Sequence, residues 1–502
     1  MITLCAGMAQ RVDIFRTKSV EQSMHDTEAP EHQLRKRLTA VDLTVFGIGV
    51  IVGTGIFVLT GQVAKELAGP AVALSFIIAA IVCGLAALCY AEFASTIPVA
   101  GSAYTFAFAT LGEFPAWIIG WDLMLEMALA SAVVAVGWSG YFSSLLNSMG
   151  IYLPSWMAGE APVVNLPAVI IVLILTAILI AGIKLSSRVN LVIVAIKLTV
   201  ILLVIVAGLF FINVANYTPF IPESTPTETG SGVHAPLIQV LFGITPVAFG
   251  VLGIFSAAAI VFFAFIGFDI VATAAEETIE PQRDMPRGII GSLAICTVLY
   301  VAVSLVVVGM QKYTELSSSA PLADAFTSVG QNWAAALISI GAIAGLTTVV
   351  MILMLGQTRV LFAMCRDGLL PRALAKVHPR TGTPAVLTAI VGAVAAVLAG
   401  FISLSALAEL VNIGTLFAFV VVSAGVIILR RTRPDLHRAF KAPLVPLLPV
   451  LAVLACLYLM LNLPVETWLR FLIWLALGGV LYFFYGYRHS TIAGYEPTSP
   501  KP

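Results

Sequence analysis

Apolar residues in this chain run in blocks of about 20 instead of alternating with polar ones, the spacing that predicts membrane-spanning helices. Twelve blocks stand out: 42–66, 70–97, 114–147, 166–183, 189–213, 250–278, 287–310, 333–363, 384–401, 407–431, 443–462 and 468–487. Each is expected to be helical, because a backbone opened to hydrocarbon finds no water for its amides. Polar residues fall between and outside the blocks. Residues 1–37 form a tail, expected to be a solvated arm, in which Leu34 and Leu38, four apart, hint at a short amphipathic lead-in. The apolar stretch at 2–8 lacks a basic flank before it, so no signal peptide is expected. The longest loop, 214–249, is rich in Pro, Thr and Gly and is expected to form an irregular cap. A second polar tail spans 488–502.

Composition agrees with this pattern. Of 502 residues, 60% are hydrophobic and 10% charged, whereas soluble domains carry about a quarter charged residues. An ordinary cytosolic enzyme is thereby excluded. Lys plus Arg and Asp plus Glu each number 26, so the chain offers no excess of positive charge for nucleic acid. The placement of the cations says more than their sum. Twenty-two of the 26 fall on one side of the twelve-span arrangement, Lys65, Lys312 and Arg470 on the other, and Lys197 inside a span. Positive charge concentrates in cytoplasmic segments, so both termini are expected in the cytoplasm of a cell-membrane protein. The six Cys are scattered without paired spacing, which implies neither a disulfide framework nor a metal site. All six His lie in tails or loops, which disfavours haem in the bilayer, and no cofactor is implied.

Ionisable groups deep in a membrane cost a few kcal/mol each and normally mark a pathway or relay. Lys197 lies about 12 Å into the fifth span, Asp269 about 13 Å from the cytoplasmic end of the sixth, and Glu126 about 18 Å along the third. Snorkelling to the interface is the alternative for Lys197, and structural hydrogen bonding for the two acids. Asp122 shares the face of Glu126 at a shallower level. Glu92, Glu276, Glu277 and Glu409 stand nearer span ends and read as interfacial.

Glycine marks a second feature. The first span contains Gly47, Gly49, Gly53, Thr54 and Gly55 close to mid-membrane. One reading is an interrupted helix, whose outer half presents free amide donors and a positive dipole end to a carboxylate. The other is close helix packing through Gly49 and Gly53. In the sixth span, Phe263, Ala264, Ile266, Gly267 and Asp269 give a weaker sign of interruption. First and sixth spans start on opposite faces, the arrangement expected of two inverted five-helix repeats with discontinuous lead helices.

These residues resemble the amino acid, polyamine and organocation superfamily, and within it bacterial members of the cationic amino acid transporter family. The resemblance covers residues 34–487 and is carried by LRKRLTAVDLTVFGIGVIVGTGIFVLTG from Leu34, YAEFASTIPVAGSAYTF from Tyr90 and GWDLMLEMALASA from Gly120. FFAFIGFDIVATAAEETIEPQRDMPRGI from Phe262 and GQTRVLFAMCRDGLLP from Gly356 complete it. It implies an all-α polytopic membrane fold of twelve transmembrane helices: a LeuT-like 5+5 inverted repeat with helices 1 and 6 broken, plus helices 11 and 12. The repeats would be 38–213 and 250–431, followed by the pair at 432–487. It also implies a secondary active amino acid transporter. The substrate carboxylate would meet the amides around Gly53, Thr54 and Gly55 beside Ile51, and its ammonium the carbonyls at Phe263, Ala264 and Ile266. Lys197 matches the fifth-helix lysine that takes the place of sodium in proton-coupled relatives, with Glu126 and Asp269 as further proton-coupling candidates. Which of the three titrates is not fixed by the sequence. Met351 and Met354 in the eighth span fill space where a cationic side chain would need it, so small neutral amino acids such as alanine are expected over arginine or lysine. The partners implied are amino acid, protons and membrane lipid, with nothing said of an accessory subunit. An amino acid exchanger is the nearest alternative and a channel a more distant one. A membrane enzyme is least expected, since the spans carry no HExxH and no nucleophile with a base.

Overall fold

The computed structural model describes residues 38–97, 102–158, 162–182, 187–226 and 232–490. The first tail with Leu34, Lys184 between the fourth and fifth spans, the Arg188 and Glu276 side chains and residues 491–502 lie outside the described residues. The chain is nearly all helix, in the order α1 (Ala40–Ile51), α2 (Val72–Thr96), α3 (Ser102–Thr110), α4 (Glu113–Ser148), α5 (Leu166–Ile180) and α6 (Ser187–Gly208). After a long loop come α7 (Gly250–Val261), α8 (Phe268–Val271), α9 (Pro281–Met310), α10 (Pro321–Ser328), α11 (Asn332–Arg366), α12 (Ala385–Phe401), α13 (Leu404–Thr432), α14 (Leu447–Leu461) and α15 (Val465–Leu481). Among the described residues, eight helical stretches are long and apolar enough to cross a membrane, and four shorter apolar helices accompany them. Leu202, Phe210, Val397, Leu454, Ile473 and Phe484 stand exposed on their outer faces. Such a continuous apolar exterior is the surface of a polytopic membrane protein, not of a water-soluble one.

Local chemistry sets where the elements begin. Thr39 and Asp42 form a reciprocal cap on α1: the Thr39 amide donates to Asp42 Oδ2 at 3.0 Å and the Asp42 amide to Thr39 Oγ1 at 3.4 Å. Pro281 and Pro321 occupy first turns, where a missing amide costs no hydrogen bond. α4 and α11, with 36 and 35 residues, lie along each other at the centre. On one flank α9 packs on α1 and α2, on another α12 packs on α5, and α13 bridges α4 and α14.

Both ends of the bundle are tied. On the side expected to be cytoplasmic, Arg430 holds Glu92 through Nε–Oε1 at 2.9 Å and Nη2–Oε2 at 2.6 Å, and the Ala442 amide donates to Glu92 Oε2 at 2.8 Å. Glu92 is therefore a buried ion-pair partner near the end of α2. On the other side the 214–249 loop is less irregular than its composition suggests. It carries the short helix Leu237–Leu241, and Thr225–Pro226 pairs antiparallel with Val247–Ala248. The Leu237 amide donates to the Leu463 carbonyl and the Val465 amide to the Ala235 carbonyl, both at 3.0 Å, which seats the loop on the α14–α15 turn. The twelfth block is fixed to α4 through aromatic residues: Trp121 stacks on Trp474 with centroids 4.4 Å apart and donates from Nε1 to its carbonyl at 2.9 Å.

Candidate functional site

Two helix interruptions meet near mid-bundle. α1 ends at Ile51, Val52 turns extended with ψ 90°, and the helix restarts beyond Gly53 as a π-helical turn, Gly55–Leu59. α7 ends at Val261, a 3-10 turn follows at Phe262–Phe265, Ile266 is extended with ψ 135°, and α8 restarts after Gly267 at φ 127°. The interrupted-helix reading of the first span thus describes Gly53, and the close-packing reading describes Gly49 but not Gly53, where a Cβ would stand 3.6 Å from its nearest neighbour. The helix breaks at Val52–Gly53, while Gly49 gives close packing: a Cβ there would stand 2.8 Å from Val194 Cγ2.

The interruptions touch. A Cβ on Gly55 would run into the backbone and methyl of Ala264, and one on Gly267 would stand 2.8 Å from Val50 Cγ1. Only glycine permits both approaches, and Gly267 also holds a left-handed conformation that other residues avoid.

A broken helix leaves four carbonyls and four amides without helical partners at each break. The described side chains satisfy specific ones. Lys197 Nζ donates to the Gly49 carbonyl at 2.7 Å and the Val52 carbonyl at 3.2 Å. Tyr300 Oη donates to the Ile51 carbonyl at 2.6 Å, and past the break, within the restarted helix, Tyr141 Oη donates to the Phe57 carbonyl at 2.6 Å. Asn412 Nδ2 caps the end of α7 at the Ala259 and Ile260 carbonyls, 2.8 and 2.9 Å away. Asp269 Oδ1 accepts from the Gly267 amide at 3.1 Å and so caps the restart at α8. What the caps leave over is two sets of backbone dipoles facing one another. The amides opening the turn after Gly53 carry the positive end, and the carbonyls of the Phe262–Phe265 turn carry the negative end, that of Phe263 also accepting from the Ile266 amide at 3.2 Å.

Between them lies a cavity of about 20 Å³, room for one water. Val50, Ile51, Gly53, Thr54 and Gly55 form one wall and Phe263 and Ile266 another. Ala130 and Val134 of α4 and Val349 and Leu353 of α11 close it. The hydroxyl of Thr54, fully buried, has no hydrogen-bond partner among the described residues.

Of the residues expected at a substrate site, Ile51, Gly53, Thr54, Gly55, Phe263 and Ile266 line this cavity, and Ala264 supports it from behind Gly55. Met351 does not line it. The α11 wall is made by Val349 and Leu353, a turn apart, and Met351 and Met354 are buried on other faces of that helix. Lys197, Glu126 and Asp269 are all buried but do not form one charged cluster. Among the described residues no ion pair joins Lys197 to either acid: its ammonium ends on main-chain carbonyls. Glu126 has Asp122, Asp269 and Thr415 around it, and Glu126 Oε2 and Asp122 Oδ2 lack partners among the described residues. Sequence reasoning missed Tyr141, Tyr300 and Asn412. A lone phenol or amide within an apolar block must find a partner when buried, and that signal was available for all three.

A branched-chain amino acid permease of Bacillus subtilis (strain 168) is 48% identical over 95% of this chain and 99% of its own length. A methylthioribose transporter of the same organism is 46% identical, again over 95% and 99%. A vacuolar cationic amino acid transporter of Arabidopsis thaliana is 38% identical over 84% of this chain and 68% of its own. The family described as amino acid permease matches residues 38–486. With that match running from the cap of α1 to the turn beyond α15, the chain belongs to the amino acid permease family.

Proposed function

We propose that the chain takes up neutral aliphatic L-amino acids by alternating access, driven by protons and independent of sodium. The observation that carries this reading is the Lys197 ammonium on the Gly49 and Val52 carbonyls, 2.7 and 3.2 Å away. Two carbonyls at the negative end of a half-helix make a site for a small monovalent cation. Here a side-chain ammonium fills it, so sodium has neither the charge balance nor the space to bind. A charged ammonium holds carbonyls more strongly than a neutral amine does. Gain or loss of a proton at Nζ therefore changes how firmly α1 is held to α6, and links the protonation state to the position of the half-helix that borders the cavity.

Substrate recognition follows from the backbone. Amides after Gly53 suit a carboxylate, and carbonyls of the Phe262–Phe265 turn suit an ammonium. The side chain would lie against Ala130, Val134, Val349 and Leu353, an apolar set with no acceptor for a guanidinium or a lysine ammonium. The branched-chain permease among the relatives fits this selectivity. A sugar thioether, as in the name of the methylthioribose transporter, needs hydrogen bonds to several hydroxyls, and among the lining side chains only Thr54 offers one. In the arrangement we infer, 38–213 and 250–431 are inverted repeats, 432–487 adds two helices, twelve crossings are made, and both termini face the cytoplasm of the cell membrane.

Reconstitution with Lys197→Met tests the reading. A pH gradient, acid outside, is expected to drive accumulation of valine or alanine in wild-type proteoliposomes without sodium, and accumulation is expected to collapse in the variant. Undiminished accumulation by the variant, or a sodium requirement in the wild type, rejects it. A panel of alanine, isoleucine and arginine as competitors sorts the substrate class.

A further inference from the structure

At the end of the bundle opposite the 214–249 loop, a second cavity of about 580 Å³ opens between the start of α9 and the loop after α13, lined by Gln282, Arg283, Pro286, Arg287, Ile290 and Phe440 among others. We propose that this cavity binds an anionic phospholipid, with the headgroup phosphate on Arg283 and Arg287.

Three features of the site point to that ligand. Arg283 and Arg287 are four apart on one face of α9, where like charges repel and an anion between them relieves the repulsion. Neither guanidinium is held in a buried pair among the described residues. Arg283 reaches only Glu280, at 3.5 Å with both side chains about three-fifths exposed. Among the described residues no hydrogen bond or ion pair engages Arg287. Farther along the same face, Ile290, Ala294 and Val298 are exposed, Val298 at 68%. A basic pair thus sits directly above an open apolar track on one helix, which matches a phosphate joined to an acyl chain and does not match a free anion.

The site is pre-built. Its far wall, Ala439 and Phe440, belongs to the loop held by Glu92 and Arg430. Arg438 braces the same loop by donating to the Leu429 and Arg433 carbonyls at 3.2 and 2.8 Å. Its near wall touches the half-helix of the transport site: a Cβ on Gly288 would stand 2.6 Å from Leu43 Cβ, and one on Gly291 would stand 3.3 Å from Thr44 Oγ1. A lipid seated here braces α9 where α1 packs on it, so lipid composition is expected to affect transport rate.

The test uses the full chain purified in mild detergent. Titrations with phosphatidylglycerol and phosphatidylcholine are followed by native mass spectrometry, with inorganic phosphate as a competitor. Wild type is expected to retain one phosphatidylglycerol in preference to phosphatidylcholine. The double variant Arg283→Gln, Arg287→Gln is expected to lose about thirtyfold in that affinity, from on the order of fivefold per basic group. Equal retention by wild type and double variant overturns the proposal, and so does displacement of the lipid by millimolar inorganic phosphate, which marks a free-anion site. If the double variant does not fold, the pair Arg283→Lys, Arg287→Lys is expected to keep the preference and Val298→Asn to weaken it. Unchanged retention in Val298→Asn then overturns the acyl track.

Discussion

At the residue scale the site depends on where one ammonium is held. Lys197 extends past Gly345 of α11: a Cβ there would stand 2.8 Å from both Cγ and Cε of the lysine and 3.2 Å from Cδ. These are mid-chain atoms of a fully buried side chain, so they have little freedom to move aside. Gly345→Ala must shift the ammonium from the Gly49 and Val52 carbonyls or push α11 away, and overpacking of this kind costs roughly 1–3 kcal/mol. Proton-driven accumulation in proteoliposomes is expected to fall about tenfold, the factor that 1.4 kcal/mol represents, while gel filtration shows an intact protein. Wild-type accumulation in Gly345→Ala would separate the position of Lys197 from coupling. The lysine was legible in the sequence because a charge inside an apolar block is rare. Its acceptors were not, because a free main-chain carbonyl has no letter. That is why the sequence groups Lys197 with Glu126 and Asp269 as proton-coupling candidates, whereas the ammonium is satisfied by backbone.

At the element scale the two interruptions are the feature that a helix of ordinary residues could not adopt. Gly267 combines a φ of 127° with contact against Val50. A side chain at such an angle costs about 1–3 kcal/mol from the backbone alone. Gly267→Ala is expected to lower the melting temperature measured by intrinsic fluorescence in detergent and to reduce uptake more than tenfold, since it displaces α8 from α1 as well as straining the turn. A variant with wild-type melting and wild-type uptake would show that the break at Ile266 is not required. The long elements could be read from apolar block length, since lipid imposes about 20 residues per crossing. The short ones escaped that criterion. α10 did carry a start signal, Pro321 with Asp324 in the first turn, but α3 begins at Ser102 with φ 52° and has no comparable sign. The strand pair Thr225–Pro226 with Val247–Ala248 joins segments that no two-residue pattern could match.

At the scale of the whole molecule, the cavity has walls from two groups of elements, the interrupted helices on one side and the long pair α4 and α11 on the other. Its 20 Å³ is far less than an amino acid needs, so on the proposed reading the two groups must part to admit substrate, the motion that alternating access describes. Which residues of α11 face the cavity could not be read from its sequence. The helix is apolar nearly all round, so no polar stripe fixes its rotation, and the sequence points to Met351 and Met354 instead of Val349 and Leu353. The packed structure puts Val349 and Leu353 on the cavity wall, and on the proposed reading Leu353 would limit the size of the substrate side chain. Leu353→Ala removes apolar bulk at the wall the substrate side chain would face. One methylene in an apolar pocket discriminates by about 10–200-fold at most, so the ratio of kcat/KM for leucine to that for alanine is expected to rise about tenfold, and Met351→Ala is expected to leave it within twofold. Initial uptake rates of both amino acids by the two variants decide the matter: a ratio that moves with Met351 and not with Leu353 would place the substrate side chain on a different face of α11.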